Sequence, residues 1–169
     1  NGVTYTDKQS VINLRNSAGT FNLFANWTLG SVTLPNATRT GYNALGWNTS
    51  QSATSAAYKI GATYTPTANT TLYMVWQPIQ YQVAYNGNGA TSGKMDHSIY
   101  SYDSTYALTS NTYTKTGYTF RGWSTSSGSN TIAYANGQSV KNLKSKQGET
   151  LILYAVWSTD APTGWTTDA

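Results

Sequence analysis

Ile152-Leu153-Tyr154-Ala155-Val156-Trp157 is an apolar run of strand length that closes on tryptophan. The chain carries related runs at Thr71-Leu72-Tyr73-Met74-Val75-Trp76 and at Asn22-Leu23-Phe24-Ala25-Asn26-Trp27. One closing element used three times marks repeated units, and repeats of this kind must be recognised before a fold is assigned. Upstream of the middle copy stands Thr38-Arg39-Thr40-Gly41-Tyr42-Asn43-Ala44-Leu45-Gly46-Trp47. Upstream of the last stands Thr114-Lys115-Thr116-Gly117-Tyr118-Thr119-Phe120-Arg121-Gly122-Trp123. Both read Gly-Tyr, then Gly-Trp, then a Ser/Thr-rich loop.

The last unit also has a front end that the middle one lacks, Tyr81-Gln82-Val83-Ala84-Tyr85 followed by Asn86-Gly87-Asn88-Gly89. Residues 1–27 align with 130–157. Tyr5 lies over Tyr134, Gln9-Ser10-Val11 over Gln138-Ser139-Val140 and Gly19 over Gly148. Read this way, the N-terminal stretch is the back half of a repeat. The expected organisation is a partial plus an abbreviated repeat packed as one module over 1–77, a complete repeat over 78–157, and a linker or tail over 158–169. Pro78 cannot donate to a sheet ladder and suits the boundary.

Period-two alternation gives strands at Val83–Tyr85, Ser98–Tyr102, Tyr118–Phe120, Ile132–Tyr134 and Leu151–Val156. The Asn-Gly pairs at 86–89 supply the positive φ that a tight hairpin turn needs. Gln138 to Lys144 is expected to form one or two helical turns, with Ser139 as N-cap. Composition points the same way. Charged residues make up 9 % and aromatic residues 14 %, whereas disordered chains run to high net charge and few aromatics. β-branched and aromatic residues suit a pleated, half-buried surface, so the expected class is mostly β (α+β) with little helix.

Several function classes fall away. The net charge of +4 comes from scattered Lys and Arg, clustered only at Lys141, Lys144 and Lys146. A nucleic-acid partner requires a concentrated basic footprint. Without cysteine there is no thiolate metal site or thiol nucleophile. No apolar run approaches the roughly 18 residues of a membrane span, so no membrane insertion is expected.

Asp96 and Asp103 flank a strand, with the single histidine, His97, beside the first. A glycosidase needs two carboxylates across one bond, and a triad needs an oriented nucleophile; neither pattern accompanies these residues. The chain is therefore expected to be no enzyme and to use no cofactor or metal. The sequons at Asn26, Asn36, Asn48 and Asn69 fit chance in an Asn/Thr-rich chain. Tyr100, Tyr102, Tyr106 and Tyr113 are the candidate partner-binding residues, able to stack on glycans or anchor proteins. The alternative for them is cross-strand packing within the sheet.

In order, Val-x-Tyr-Asn-Gly-Asn-Gly, Thr-x-Thr-Gly-Tyr-x-Phe-x-Gly-Trp and Leu-Tyr-Ala-Val-Trp resemble the Listeria–Bacteroides repeat, the family of the internalin B-repeat. The resemblance implies tandem β-grasp-like (ubiquitin-like) modules on a bacterial cell surface, cell-wall attached or secreted. It implies roles in spacing, adhesion or binding to a host or neighbouring-cell surface protein or glycan. The alternative is a carbohydrate-binding module that uses the tyrosines. The departure is the middle unit, which lacks the opening strand. Trp27, Trp47, Trp76, Trp123 and Trp157 are expected to be structural core, because each can bury up to about 250 Å² in a chain poor in Leu and Ile.

Overall fold

The computed structural model describes residues 30–159. Expectations that fall on 1–29, among them Trp27 and its strand, and on 160–169 lie outside the described residues. Ten strands and no helix make up the rest. The first unit holds β1 (Val32–Thr33), β2 (Tyr42–Asn48), β3 (Thr63–Tyr64) and β4 (Tyr73–Pro78). The second holds β5 (Gln80–Asn86), β6 (Ser98–Ser101), β7 (Thr105–Ala107), β8 (Tyr118–Ser124), β9 (Ser139–Lys141) and β10 (Thr150–Thr159). The chain is mostly β, as its aromatic and β-branched composition led one to expect.

The second unit is built on a four-stranded sheet ordered β6-β5-β10-β8. Its first and last long strands, β5 and β10, lie side by side and parallel, with Leu151 opposite Val83. β6 and β8 close the two edges antiparallel. Alternation decides which face is covered. Tyr81, Val83 and Tyr85 point one way from β5 and are buried, as are Leu153 and Ala155 from β10. With Ile79, Tyr100, Leu108, Trp123 and Val140 they form one cluster, against which Phe120, Tyr134 and Trp157 pack. On the opposite face Ile99 and Ile152 stay exposed.

Trp123 is at the centre of this core with no exposed surface. Its ring lies 4.9 Å from those of Tyr85 and Phe120. Phe120 in turn meets Trp157 edge-on at 5.7 Å. Trp157 is only half-buried and donates its indole N–H to the Gly87 carbonyl at 2.9 Å. In the first unit Trp47 and Trp76 are half-buried too, and Trp47 donates to the Pro35 carbonyl at 2.9 Å. Of the four described tryptophans, Trp123 is wholly buried and the other three are half-buried. In the first unit the buried apolar residues among those described are Leu34 and Val75.

The Gly-Trp dipeptide does the same job twice. Trp47 exchanges backbone hydrogen bonds with Tyr58, at 2.9 Å in each direction, and Trp123 does so with Tyr134, at 2.8 and 3.1 Å. The returning chain therefore crosses directly over the preceding glycine. A Cβ on Gly122 would stand 2.9 Å from the Tyr134 carbonyl oxygen, and its φ of +150° is one that side chains rarely adopt. Gly46 meets the Tyr58 carbonyl in the same way. Only glycine permits this approach.

Four local expectations are corrected. Ile132–Tyr134 is not a strand: only Tyr134 bridges, to Trp123, and Ile132 is exposed. Residues 138–144 form no helical turn. Ser139-Val140-Lys141 alternates with period two, pairs antiparallel with β7, and buries Val140 opposite Tyr106. Tertiary pairing overrides a weak local cap signal. The Asn-Gly pairs do not make a tight hairpin either. Asn88 and Gly89 have positive φ, but residues 87–97 then run on as a strap joined to Thr114 through Thr91 and Ser92 before β6 begins. Finally, β10 continues through Ser158 and Thr159, paired to Thr119 and Tyr118, so strand replaces the expected start of the tail.

Candidate functional site: the junction between the two units

The tyrosines singled out from sequence do not form an exposed row. Tyr100 is 4 % exposed. It packs edge-on against Tyr81 at 5.9 Å, stacks on Tyr106 at 4.5 Å with planes 3° apart, and donates its hydroxyl to the Ala107 carbonyl at 3.0 Å. Burial first, and then the neighbouring Tyr85 hydroxyl, push its phenol well above the usual tyrosine range. The expectation that it meets a partner is therefore corrected: its inward position on β6 commits it to the core. Tyr106 is held by the Ser101 backbone N–H, which donates to its hydroxyl at 3.2 Å. Tyr113, half-buried, donates to the Tyr85 carbonyl at 2.9 Å beneath the 87–93 loop. For these three residues the geometry is that of packing within the unit.

Tyr102 is different, because it faces the first unit. β6 ends at Ser101, and Tyr102-Asp103-Ser104 forms the turn into β7, with Asp103 at φ +61°. The Tyr102 ring stands so close to Gly41 that any side chain there would collide with it. Gly41 itself has a φ of +77° and opens the turn from Arg39 into β2. Tyr42 meets Tyr102 edge-on at 5.9 Å, and the Arg39 guanidinium lies 3.7 Å over the Tyr42 ring.

Asp103 ties this corner together. Its Oδ2 accepts from the Tyr42 hydroxyl at 2.5 Å and lies 4.0 Å from Arg39. Its Oδ1 accepts from Asn142 Nδ2 at 3.0 Å and lies 3.5 Å from Lys141 Nζ, while the Asp103 backbone N–H donates to Asn142 Oδ1 at 2.6 Å. The carboxylate thus receives the first unit on one oxygen and the end of β9 on the other. The backbone closes the same seam: Ile79 N–H donates to the Gly41 carbonyl, and Tyr102 N–H to the Ile79 carbonyl, both at 3.0 Å. Gln147 adds a side-chain link, accepting from Gln80 N–H at 3.0 Å and from Asn43 Nδ2 at 3.5 Å.

Sequence reasoning treated Asp103 only as one of two flanking acids. The available signal was an Asp in a turn between two short strands, the residue type that tolerates positive φ. The hydrogen bond from Tyr42, then that from Asn142, hold its carboxyl down from 3.8 to about 2. A depressed carboxylate pKa stabilises the folded state above the unfolded-state value, and that contribution goes as pH falls towards the folded one. The junction should therefore be intact at neutral pH and loosen between about pH 4 and pH 2. An Asp103→Asn chain should lack that acid transition. Small-angle scattering across this range reads the result, and an unchanged acid profile in the variant would contradict it.

The other acids stand apart. Asp96 is 87 % exposed and pairs with Lys94 at 3.4 Å on the strap, with His97 next to it. Asp103, in contrast, is held at the junction by Tyr42 and Asn142. The described residues hold no group of three or more His, Cys, Asp or Glu able to bind a metal ion. Nor does any described helix have the length and apolarity to cross a membrane.

Two β units that share a Gly-Tyr corner and a Gly-Trp crossing, joined end to end, define a tandem-repeat β protein. The chain belongs to the Listeria-Bacteroides repeat domain family, whose model matches residues 3–75 and 81–156 on either side of the junction. A relative in Evansella cellulosilytica, described as a putative Gly-rich membrane protein, is 31 % identical over 142 residues. That match covers 76 % of this chain and 16 % of the relative, so the chain spans about one sixth of that protein's length. No solved structure matched the chain.

Proposed function

We propose that this segment is a spacer and protein-interaction module of a bacterial cell-surface protein, built from β-grasp-like repeats and playing no catalytic part. The observation that carries the reading is the junction itself. Flexible linkers are rich in Gly and Ser and make few contacts. Here the units meet through Tyr42, Tyr102 and Asp103, with backbone hydrogen bonds continuing across the seam at Ile79. Such a joint sets the angle between successive repeats, which is what a spacer requires. Within the second unit the chain enters at Gln80 and leaves at Thr159, at opposite ends of the parallel pair, so repeats extend rather than fold back. A central parallel pair with antiparallel neighbours also supports the β-grasp-like reading.

An extracellular location and a host or neighbouring-cell surface partner complete the proposal. Family membership and the relative described as a membrane protein support it. Solution scattering tests the spacer half. The native chain should fit one elongated body, and Asp103→Ala should broaden its distance distribution without changing the far-ultraviolet circular dichroism. A native chain that already scatters as two freely jointed bodies would defeat the reading. For the interaction half, the fluorescent segment should bind intact host or neighbouring cells saturably and be displaced by unlabelled segment. Linear, non-competed uptake would leave the spacer role alone.

A further inference from the structure

Three Asn-Gly pairs fall within the described residues, at Asn86-Gly87, Asn88-Gly89 and Asn136-Gly137. In such a pair the glycine nitrogen can attack the asparagine's own side-chain amide, because glycine has no side chain to hinder the approach and lets the backbone turn into it. Two conditions favour closure of the ring. The amide carbonyl is polarised by a donor, and the backbone between the two residues is free to rotate. The fold meets these conditions unequally at the three pairs.

Asn86 meets the first and fails the second. Its Oδ1 accepts from Asn88 N–H at 2.8 Å. It is also the last residue of β5, in register with Tyr154 on β10. The Gly87 carbonyl is held twice, by the Trp157 indole N–H at 2.9 Å and by Ala90 N–H at 3.1 Å. Asn88 is fixed by its side chain. Its Nδ2, the group that would have to leave, donates to the Ala155 carbonyl at 2.9 Å, and its N–H is engaged by Asn86.

Asn136 meets both. Its Oδ1 accepts from Asn111 N–H at 2.8 Å, a donor aimed at the oxygen on which charge gathers when Cγ is attacked. Asn136 and Gly137 are the middle of a turn tied at its ends. Gln138 N–H donates to the Ala135 carbonyl at 3.3 Å, and Ala135 N–H donates to Gln138 Oε1 at 2.8 Å. Among the described residues the backbone N–H and carbonyl groups of Asn136 and Gly137 make no hydrogen bond. Gly137 has a φ of +66°, and a Cβ there would meet only Ser110 Oγ, at 3.8 Å.

We propose that Asn136-Gly137 is a self-modifying site that deamidates in the folded chain. Hydroxide takes the proton from the Gly137 nitrogen, which attacks Asn136 Cγ and forms a five-membered imide. The Cγ–Nδ2 bond breaks, and Nδ2 takes a proton from water and leaves as ammonia. Water then opens the ring. Opening at the Cγ–nitrogen bond leaves aspartate. Opening at the main-chain carbonyl leaves isoaspartate, with the chain now running through the side-chain carbon. Either product places a carboxylate just before β9, whose Lys141 helps to hold Asp103 at the junction.

The test ages the native chain and the same chain in concentrated guanidinium chloride side by side at mildly alkaline pH. After digestion, tandem mass spectrometry follows each asparagine separately. In the unfolded chain the three pairs should react at comparable rates. In the folded chain Asn136 should keep a rate within a few-fold of its unfolded one. Asn86 and Asn88 should slow by roughly tenfold or more, since each hydrogen bond that holds them adds to the barrier. Aspartate and isoaspartate should both appear at position 136. Folding that slows Asn136 as much as the other two would overturn the proposal. So would reaction of Asn86 or Asn88 in the folded chain as fast as Asn136, or aspartate alone at 136, since direct hydrolysis bypasses the ring.

Discussion

Replacing Trp123 with alanine should cost the second unit about 3–5 kcal/mol, the usual loss for removing a large buried aromatic side chain. The side chain is wholly buried, and Tyr85, Phe120, Leu153 and Ala155 belong to the same core cluster. Its two ring neighbours are held in place: Tyr85 accepts from Thr109 N–H through its hydroxyl, and Phe120 packs against both Trp123 and Trp157. Domains of this size hold only about 5–15 kcal/mol in total, so the loss should bring the variant close to unfolding. Among the described residues the indole N–H of Trp123 has no hydrogen-bond partner, so Trp123→Phe forfeits volume but no described hydrogen bond and should be milder. Urea unfolding followed by circular dichroism orders the two variants. Equal losses would show that the indole's bulk is not what holds the core.

Gly41→Ala should be the second severe change, and it should act on the junction. A non-glycine residue at a φ of +77° costs roughly 1–2 kcal/mol in backbone strain. The new methyl group would also occupy the space of the Tyr102 ring, and overpacking of that kind costs about 1–3 kcal/mol more. Gly117→Ala provides the comparison. Its φ is +75° but no described atom stands in the way, so it should incur the backbone cost alone. Differential scanning calorimetry should rank the variants in that order, and only Gly41→Ala should broaden the scattering profile. Equal effects from the two would mean that Tyr102 contributes nothing at the seam.

Much of this architecture was legible before any coordinates. Repetition of Gly-Tyr and Gly-Trp marked the two corners and crossings, and the long alternating runs marked β5, β8 and β10. The reason is local: each of those strands is long enough to show its period, and each special glycine is tied to an adjacent aromatic. β7 and β9 were hidden for the opposite reason. They are three residues each, too short for an alternation to stand out, and they lie more than thirty residues apart, joined only by pairing such as Val140 with Tyr106. Tyr100 was misjudged because alternation tells which residues share a face but not which face is covered. Asp103 was missed as a site because its partners come from both units, Tyr42 at one side and Asn142 at the other. No spacing rule within one repeat reports a contact made between two.

The parallel pairing of β5 with β10 has one more consequence. Tension on the two ends of the second unit would pull β5 from Gln80 and β10 from Thr159 in opposite directions along their shared ladder. The hydrogen bonds between Gln82–Asn86 and Thr150–Tyr154 would then be loaded together in shear rather than opened one at a time like a zip. Single-molecule stretching should accordingly find the unit yielding in one abrupt, high-force event, and a gradual low-force extension would contradict this. A repeat wired in this way resists being drawn out by tension applied between its two ends.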